Sequence, residues 1–358
     1  MDLQHAVALT LLHGISRPRA AAVFKQLSAQ APGAVALEDV IAACGAGARA
    51  AEVAREARDE AALLLDRAAP AGIVAIRIGD ERYPPLLRAI ADPPPVLWMR
   101  GAREALTRPA VAIVGSRAAT PYALEVAARL AAELAGREIV VVSGLARGVD
   151  GAAHRACVQA GGRTIAVLGS GPDVIYPREH DRLSSSICEA GALVSELGPG
   201  APPLPEHFPL RNRLISGISL GVVVVEASEK SGSLITARCA LDQGRDVMAV
   251  PGSVLGGRHR GSHALLKDGA KVVETADDIL EELGWPVPGV GAGVAKISDK
   301  PLIQDELLAK LTPGETYNLD ELSATVGLDV SKLLPRLTHW EMQGRLVKEP
   351  GGRYRLAN

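Results

Sequence analysis

The sequence predicts an α/β fold built around a doubly wound, mostly parallel sheet. Short β-rich runs recur from Ile73 onward, and helical stretches of about ten to fifteen residues separate most of them. The runs are apolar throughout, which is typical of parallel strands buried on both faces. The length of 358 residues is a third observation, since a chain of this size is expected to form two or three domains.

Residues 1–70 are predicted to form a helical module. Its helices are expected at Leu3–Leu12, Arg19–Leu27, Leu37–Cys44 and Ala46–Ala68. The segment His13-Gly14-Ile15-Ser16, which Pro18 follows shortly after, is expected to form a tight turn between the first two helices. Such a turn is similar to those of SAM and helix-hairpin-helix modules, which contact DNA or proteins. A small helical cap explains the same pattern equally well.

Residues 71–285 are predicted to form the central sheet domain. Its strands are expected at Ile73–Ile78, Val96–Met99, Ala110–Val114, Ile139–Val142, Thr164–Leu168, Leu193–Val194, Val222–Val225, Asp246–Val250 and Lys271–Val273. The connecting helices include Ala123–Leu134, Ala152–Ala160 and Ser233–Gln243. This alternation indicates a Rossmann-like core in which helices cover both faces of the sheet.

The C-terminal part is predicted to contain a linker over residues 286–300, rich in proline and glycine, and a winged helix over residues 301–358. Helices are expected at Leu302–Leu311, Leu319–Val326 and Val330–Gln343, and a hairpin at Arg345–Lys348 and Arg353–Leu356. Helices followed by a hairpin form the outline of a winged helix. Pro335 is expected to kink or shorten the last of these helices.

Composition and charge narrow the function classes. A net charge of −2 gives no overall basic surface, so a polyanion is expected to bind at a local patch and at backbone amides. The four cysteines are widely spaced and form no metal-binding pattern, which favours a reduced compartment and no zinc site. The sequence shows no signal peptide and no run of about 18 apolar residues. We therefore expect a cytoplasmic protein without a membrane span.

Turns suited to an anion follow two of the predicted strands, and ligands of open parallel sheets bind at the carboxyl ends of strands. Gly115-Ser116-Arg117 offers a glycine, a hydroxyl and a guanidinium before a helix, where phosphate groups bind readily. Ser143-Gly144 and Arg147 repeat this arrangement. Neither segment is a Gly-x-Gly-x-x-Gly or Walker motif. Each alone is also compatible with an ordinary strand–helix turn.

A third candidate segment contains Pro209, which suits the first position of a helix. Three polar residues are then expected in the first turn: Arg211, Asn212 and Arg213. Residues i and i+2 of a helix point to different sides, so one arginine is free to pair with Glu196 or Glu226 instead of a phosphate.

Other candidates have both a functional and a structural interpretation. Phe208 either stacks on a base, which is worth about 1–3 kcal/mol, or holds its loop against the core. Gly232 and Ser233 are expected to donate to an anion at a further helix start. Asp150 and His154 are either catalytic or satisfied packing residues.

Taken in order, these motifs resemble those of the DNA-processing protein A family, also called DprA or Smf. The motifs that carry the resemblance are Gly115-Ser116-Arg117, Ser143-Gly144, Arg147-Gly148-Val149-Asp150, His154, Tyr176-Pro177, Ser195-Glu196, Phe208-Pro209, Arg211-Asn212-Arg213, Glu226, Ser231-Gly232-Ser233, Thr236-Ala237 and Pro251-Gly252. The dense match covers about residues 80–275, and the outlying helical module and winged helix are also similar to domains of that family.

The resemblance implies a homodimer that binds single-stranded DNA, protects incoming strands and loads the RecA recombinase during natural transformation. The implied DNA-binding residues are Gly115, Ser116, Arg117, Ser143, Gly144, Arg147, Phe208, Arg211, Asn212, Arg213, Gly232 and Ser233. Some members carry a lysine shortly before the phenylalanine, where this chain has Leu204-Pro205-Glu206-His207. His263 stands where an asparagine is common.

We expect no enzymatic activity, no cofactor and no metal, because no activated nucleophile, metal cluster or carboxylate pair is evident. One alternative is a nucleotide N-glycosidase, whose Pro-Gly-Gly-x-Gly-Thr motif is matched poorly by Pro251-Gly252-Ser253. Another is a transcription regulator that reads duplex DNA through the winged helix. Its basic residues would be Lys332, Arg336, His339, Lys348, Arg353 and Arg355.

Overall fold

A computed structural model describes residues 2–12, 14–30 and 35–285, and in the C-terminal part residues 317–319, 321–322, 333, 337, 340, 346–349 and 353–356. The chain divides into two compact units, Met1–Pro288 and Gly289–Asn358. Each unit has its own core and is described separately below.

The N-terminal helices are α1 (Leu3–Leu9), α2 (Arg17–Gln30), α3 (Leu37–Ile41) and α4 (Ala50–Ala68). A π-helical turn (Ala42–Ala46) and short 3-10 turns (Gly47–Arg49 and Ala69–Ala71) connect or follow them. The first helix ends at Leu9, three residues earlier than expected, and Asp2 caps its start by accepting from the His5 amide over 2.7 Å. Apolar residues of these helices share one core with Val96 and Trp98 of the sheet.

The central sheet contains nine strands among the described residues. They are β1 (Ile73–Arg77), β2 (Val96–Gly101), β3 (Ala110–Val114), β4 (Val140–Ser143), β5 (Thr164–Val167), β6 (Ala192–Ser195), β7 (Gly221–Val224), β8 (Asp246–Ala249) and β9 (Lys271–Val272). Their spatial order is β1-β2-β6-β5-β4-β3-β7-β8-β9. The predicted mostly parallel sheet is confirmed, although β2 pairs antiparallel with both β1 and β6. The chain reverses its direction of winding between β3 and β7, which makes this the topological switch point.

Helices cover both faces of the sheet, because successive residues of each strand point to opposite sides. On one face α9 (His207–Ile218) and α10 (Ser233–Asp242) pack on Ala112 and Val114. On the other face α6 (Pro121–Ala135), α7 (Val149–Gln159) and α12 (Ala276–Glu282) pack on Val111 and Ile113. The remaining helices of this unit are α5 (Pro85–Arg88), α8 (Asp181–Ala190) and α11 (Arg260–Lys267), with 3-10 turns at Arg103–Thr107 and Arg178–His180.

The described residues of the C-terminal unit include a hairpin of β10 (Leu346–Glu349) and β11 (Arg353–Leu356). The predicted hairpin is therefore present, beginning one residue later than expected. Leu322, Leu333, Leu337 and Trp340 are helical and form a core with Leu346 and Tyr354. The predicted linker and the helix expected at Leu302–Leu311 lie outside the described residues. No helix in the described ranges is long and apolar enough to cross a bilayer.

Candidate nucleic-acid interface

A cleft of about 620 Å³ lies at the switch point, beside the carboxyl ends of β3 and β7. We call this the switch-point cleft. It brings together eight of the predicted site residues: Gly115, Ser116, Arg117, Phe208, Arg211, Asn212, Gly232 and Ser233. A smaller cavity of about 70 Å³, which shares Arg117 and Phe208 with the cleft, is lined also by Gly144 and Arg147. Ser143 and Arg213 line neither space.

The turn after β3 is held in place by close backbone packing. Gly148 has a φ of 73°, and a Cβ built there would lie 2.2 Å from the carbonyl oxygen of Ser116. The Val149 amide donates to this same oxygen over 3.2 Å. A Cβ on Gly115 would meet the Val149 side chain at 2.7 Å. The two predicted anion-binding turns are therefore packed against each other, and Arg117 extends from them as an exposed side chain.

Phe208 lines the cleft and is half-buried. The guanidinium carbon of Arg117 is 5.6 Å from the centre of its ring, and that of Arg211 is 6.0 Å away. A guanidinium at such a distance from an aromatic face is attracted by about 0.5–1 kcal/mol at exposed sites. The ring also lies close to Gly169, where a Cβ would meet it at 3.1 Å. Phe208 therefore lies within cation–π distance of both arginines and packs against the backbone.

Arg211 is almost fully buried, with 4% of its surface exposed. Its Nη1 donates to the carbonyl oxygens of Gly144, over 2.8 Å, and Val167, over 2.5 Å. Burial lowers the pKa of Arg211 to about 10, opposed by the charge of Asp150. Helix α9 begins at His207, two residues before the position expected from Pro209, so Arg211 lies deeper in the helix than predicted. Its guanidinium joins the turn after β4 to the end of β5.

Arg213 points away from the cleft. Its Nε is 2.9 Å from Asp92 and its Nη2 donates to Glu196 over 2.7 Å. The two arginines thus face different sides, as their spacing predicts, and Glu196 rather than Glu226 is the partner. The structure places Arg213 in ion pairs with Asp92 and Glu196, and its predicted contact with DNA stays a prediction.

Ser143 and Arg147, which belong to the second predicted turn, both bind other groups of the protein. The Ser143 side chain is fully buried and donates to the Ile113 carbonyl oxygen over 2.6 Å, which cross-links β4 to β3. Arg147 forms a two-point, exposed ion pair with Glu179 at 2.8 and 2.7 Å. Exposed ion pairs typically contribute up to about 1 kcal/mol to stability.

Asp150 and His154 have structural partners. Asp150 accepts from the amides of Gly144, over 3.1 Å, and Ala146, over 3.3 Å, while burial raises the pKa of its carboxyl group. The Thr164 hydroxyl donates to a strand carbonyl, so Nδ1 of His154 donates to Thr164 over 2.7 Å. Both residues therefore support the turn after β4 and its neighbouring helix.

The start of α10 forms the far wall of the cleft. The hydroxyls of Ser231 and Ser233 are 2.7 Å apart. Asn212 is buried and donates to the carbonyl oxygen of Gly232 over 3.3 Å, which fixes α9 against this turn. A Cβ on Gly232 would meet no atom within 4 Å, so the turn is open toward the cleft. Hydroxyls and amides at a helix N-terminus suit a phosphate group.

Tyr176 was not predicted as a site residue, although the motif that contains it was noted. It follows the end of β5 and lines both the cleft and the smaller cavity. Its ring centre is 5.5 Å from that of Phe208, with 52° between the planes. An aromatic residue in a loop at the carboxyl edge of the sheet was the signal that could have identified it.

A doubly wound sheet whose switch-point cleft is lined by amides, hydroxyls and arginine defines a Rossmann-like domain with an anion-binding site. The sequence model described as DNA recombination-mediator protein A matches residues 74–284, and that of the DprA winged helix domain matches residues 295–352. The chain belongs to the DNA recombination-mediator protein A family.

Two related proteins match more than half of the chain. Protein Smf of Escherichia coli is 42% identical over 283 residues, which cover 77% of this chain and 75% of the relative. DNA processing protein DprA of Streptococcus pneumoniae is 47% identical over 203 residues, which cover 57% of this chain and 72% of the relative.

Two solved structures are similar to the fold. The X-ray structure of DprA from S. pneumoniae has a TM-score of 0.70 at 38% identity and covers 79% of this chain and 98% of its own. The structure of the Helicobacter pylori protein, described in terms of its single-stranded DNA binding mode, has a TM-score of 0.54 at 30% identity and covers 59% of this chain and 95% of its own.

Proposed function

We propose that this chain is a cytoplasmic, non-enzymatic protein that binds single-stranded DNA in the switch-point cleft. In this proposal it acts as a homodimer, protects incoming strands and loads the RecA recombinase during natural transformation. Its membership of the DprA family and the DNA-binding mode described for the H. pylori relative support the proposal.

The observation that carries the proposal is the placement of Arg117. This exposed arginine extends from a tightly packed turn at the switch point and lies over Phe208. The guanidinium groups of Arg211 and Arg213 are instead held by the protein itself. A fixed cation beside amide-rich turns binds a phosphate backbone without selecting a base sequence.

The partners of two titratable residues near the cleft, Asp150 and His154, support the proposal that the chain is not an enzyme. Asp150 already accepts two amide hydrogen bonds, and His154 is buried against Thr164. A general base must lie within hydrogen-bond reach of a substrate proton, and these two groups are committed to the fold.

Fluorescence anisotropy with single-stranded and double-stranded oligonucleotides of equal length tests the binding step. We expect preference for the single strand and an affinity that falls with salt at a slope of roughly −0.7 per neutralised phosphate. Arg117→Ala should weaken binding and flatten this slope. Arg155→Ala is the matched control, since Arg155 is exposed on α7 and lines neither space. An unchanged slope for Arg117→Ala would refute its role.

Loading of RecA is tested separately. RecA filament growth is followed on single strands already covered by a single-strand-binding protein, with and without this chain. Faster growth with the wild-type chain, and no acceleration with Arg117→Ala, is the expected result. Equal growth in all three reactions would contradict the loading function while leaving DNA binding intact.

A further inference from the structure

We infer that Tyr176, rather than Phe208 alone, supplies the aromatic face on which an unpaired base stacks. This inference rests on the proposed function and identifies the group that contacts the base. Phosphate contacts hold a strand by its backbone, while stacking on an aromatic side chain adds affinity for any base. The rings of Phe208 and Tyr176 both line the cleft, and they differ in how accessible they are to a base.

Other groups of the protein surround the ring of Phe208. Arg117 and Arg211 both lie near its face, and Gly169 lies against its edge. Its ring is half-buried. Tyr176, in contrast, is 46% exposed. The exposed ring is the one that a base reaches without displacing a protein group.

The position of Tyr176 also suits a strand that passes through the site. It lines both the switch-point cleft and the smaller cavity that contains Arg147. A strand that has a phosphate at Arg117 and continues into the smaller cavity passes this ring. The tilted contact of Tyr176 with Phe208, at 5.5 Å, is a favourable geometry for two aromatic rings and fixes one edge of the tyrosine.

The loop that carries Tyr176 is held firmly before any ligand binds. The carboxylate of Asp173 accepts from the Gly200 amide at 2.9 and 3.1 Å, and the Gly171 amide donates to Ala201 over 2.9 Å. Ile175, the preceding residue, packs into a small apolar core beneath the loop. Stacking on a ring that is already ordered loses little conformational entropy.

The test compares an oligothymidine strand with an abasic strand of equal length. Tyr176→Ala should weaken binding to oligothymidine by about 5- to 150-fold, and Tyr176→Phe should bind like the wild type. The abasic strand offers phosphates but no base, so wild type and Tyr176→Ala should bind it equally. The salt slope should not change, because no charge is removed.

Tyr122→Ala is the matched control. Tyr122 is 48% exposed and lies outside both spaces that the strand is proposed to occupy, so its removal should leave both affinities unchanged. Thermal unfolding of each variant verifies that the fold is kept.

The outcomes separate three explanations. An equal loss of affinity for both strands would mean that Tyr176 only positions Phe208 and Arg117, and would overturn the inference. Unchanged binding of oligothymidine by Tyr176→Ala, with normal binding by the wild type, would overturn it and leave the proposed function standing. Failure of the wild type to bind either strand would overturn the proposed function itself.

Discussion

Nη1 of Arg211 donates to the carbonyl oxygen of Gly144 over 2.8 Å. The two residues are 67 positions apart in the sequence. A Cβ at Gly144 would lie 2.2 Å from this same nitrogen, so the two residues fit together only because position 144 is glycine. An arginine that the sequence suggests as a phosphate ligand is therefore part of the framework that shapes the cleft.

Arg211→Ala is expected to lower the free energy of unfolding by about 3 kcal/mol. The substitution leaves the carbonyl oxygens of Gly144 and Val167 buried without this donor, and removes the charge that offsets buried Asp150. Arg117→Ala, at an exposed position, should change it by less than about 0.5 kcal/mol. Urea unfolding monitored by circular dichroism measures both. Equal stability of the two variants would contradict the structural role of Arg211.

The sheet could be predicted from sequence because its signal is local. Apolar runs separated by helices identify all nine strands to within a few residues. The antiparallel pairing of β2 with β1 and β6 could not be predicted in this way, because an apolar run indicates burial on both faces and mixed sheets contain antiparallel strands that are buried in the same manner. That pairing depends on the partner strand, β6, which follows almost a hundred positions later.

The sequence predicted most of the residues that line the switch-point cleft, but not the contacts that each of their side chains makes. The spacing of Arg211 and Arg213 indicates different sides of α9. Which of them is buried depends on the carbonyl oxygens of Gly144 and Val167, and on the carboxylate of Glu196, all distant in sequence. The sequence marks Tyr176 only as an aromatic residue in a loop after β5, and its exposure and its contact with Phe208 arise from the folded loop.

Arg213→Ala is expected to destabilise the protein by about 2 kcal/mol without flattening the salt dependence of DNA binding. Its guanidinium pairs with Asp92 and Glu196, where the side chains of Arg213 and Glu196 are 15% and 12% exposed. A cycle of Arg213→Ala, Glu196→Ala and the double variant should show a coupling of roughly 0.5–3 kcal/mol. A flattened salt slope in Arg213→Ala would show instead that this arginine contacts DNA.

Gly144→Ala and Gly232→Ala are expected to have very different effects on stability, although both glycines border the candidate site. A methyl group at position 144 collides with the Arg211 guanidinium, and relieving such overpacking costs about 1–3 kcal/mol. At position 232 it meets no atom within 4 Å, and φ is −62°, so alanine fits without strain. The midpoint of thermal unfolding should fall only in Gly144→Ala. A similar fall in both variants would contradict this packing.

The buried imidazole of His154 predicts a defined pH dependence of stability. Burial lowers the pKa of His154 to about 3, with the charges of His180 and Arg211 acting in the same direction. In the unfolded chain the pKa of a histidine is about 6.5. Below that pH the unfolded chain binds a proton that the folded protein does not, so acid favours unfolding. Between these two pKa values, His154 lowers the free energy of unfolding by about 1.4 kcal/mol for each unit that the pH falls.

His154→Asn isolates this contribution. Asparagine places an amide donor near Thr164 Oγ1, the acceptor that Nδ1 uses now, but does not titrate. The stability of the wild type relative to this variant should therefore decline by about 1 kcal/mol or slightly more between about pH 6 and about pH 5. The raised pKa of Asp150 acts with the opposite sign, since stability from that carboxyl falls as pH rises, and it cancels because both proteins contain it. Urea unfolding at several pH values measures the difference. A constant difference across this range would mean that His154 takes up a proton in the folded protein as readily as in the unfolded chain, and so is not buried as the structure shows.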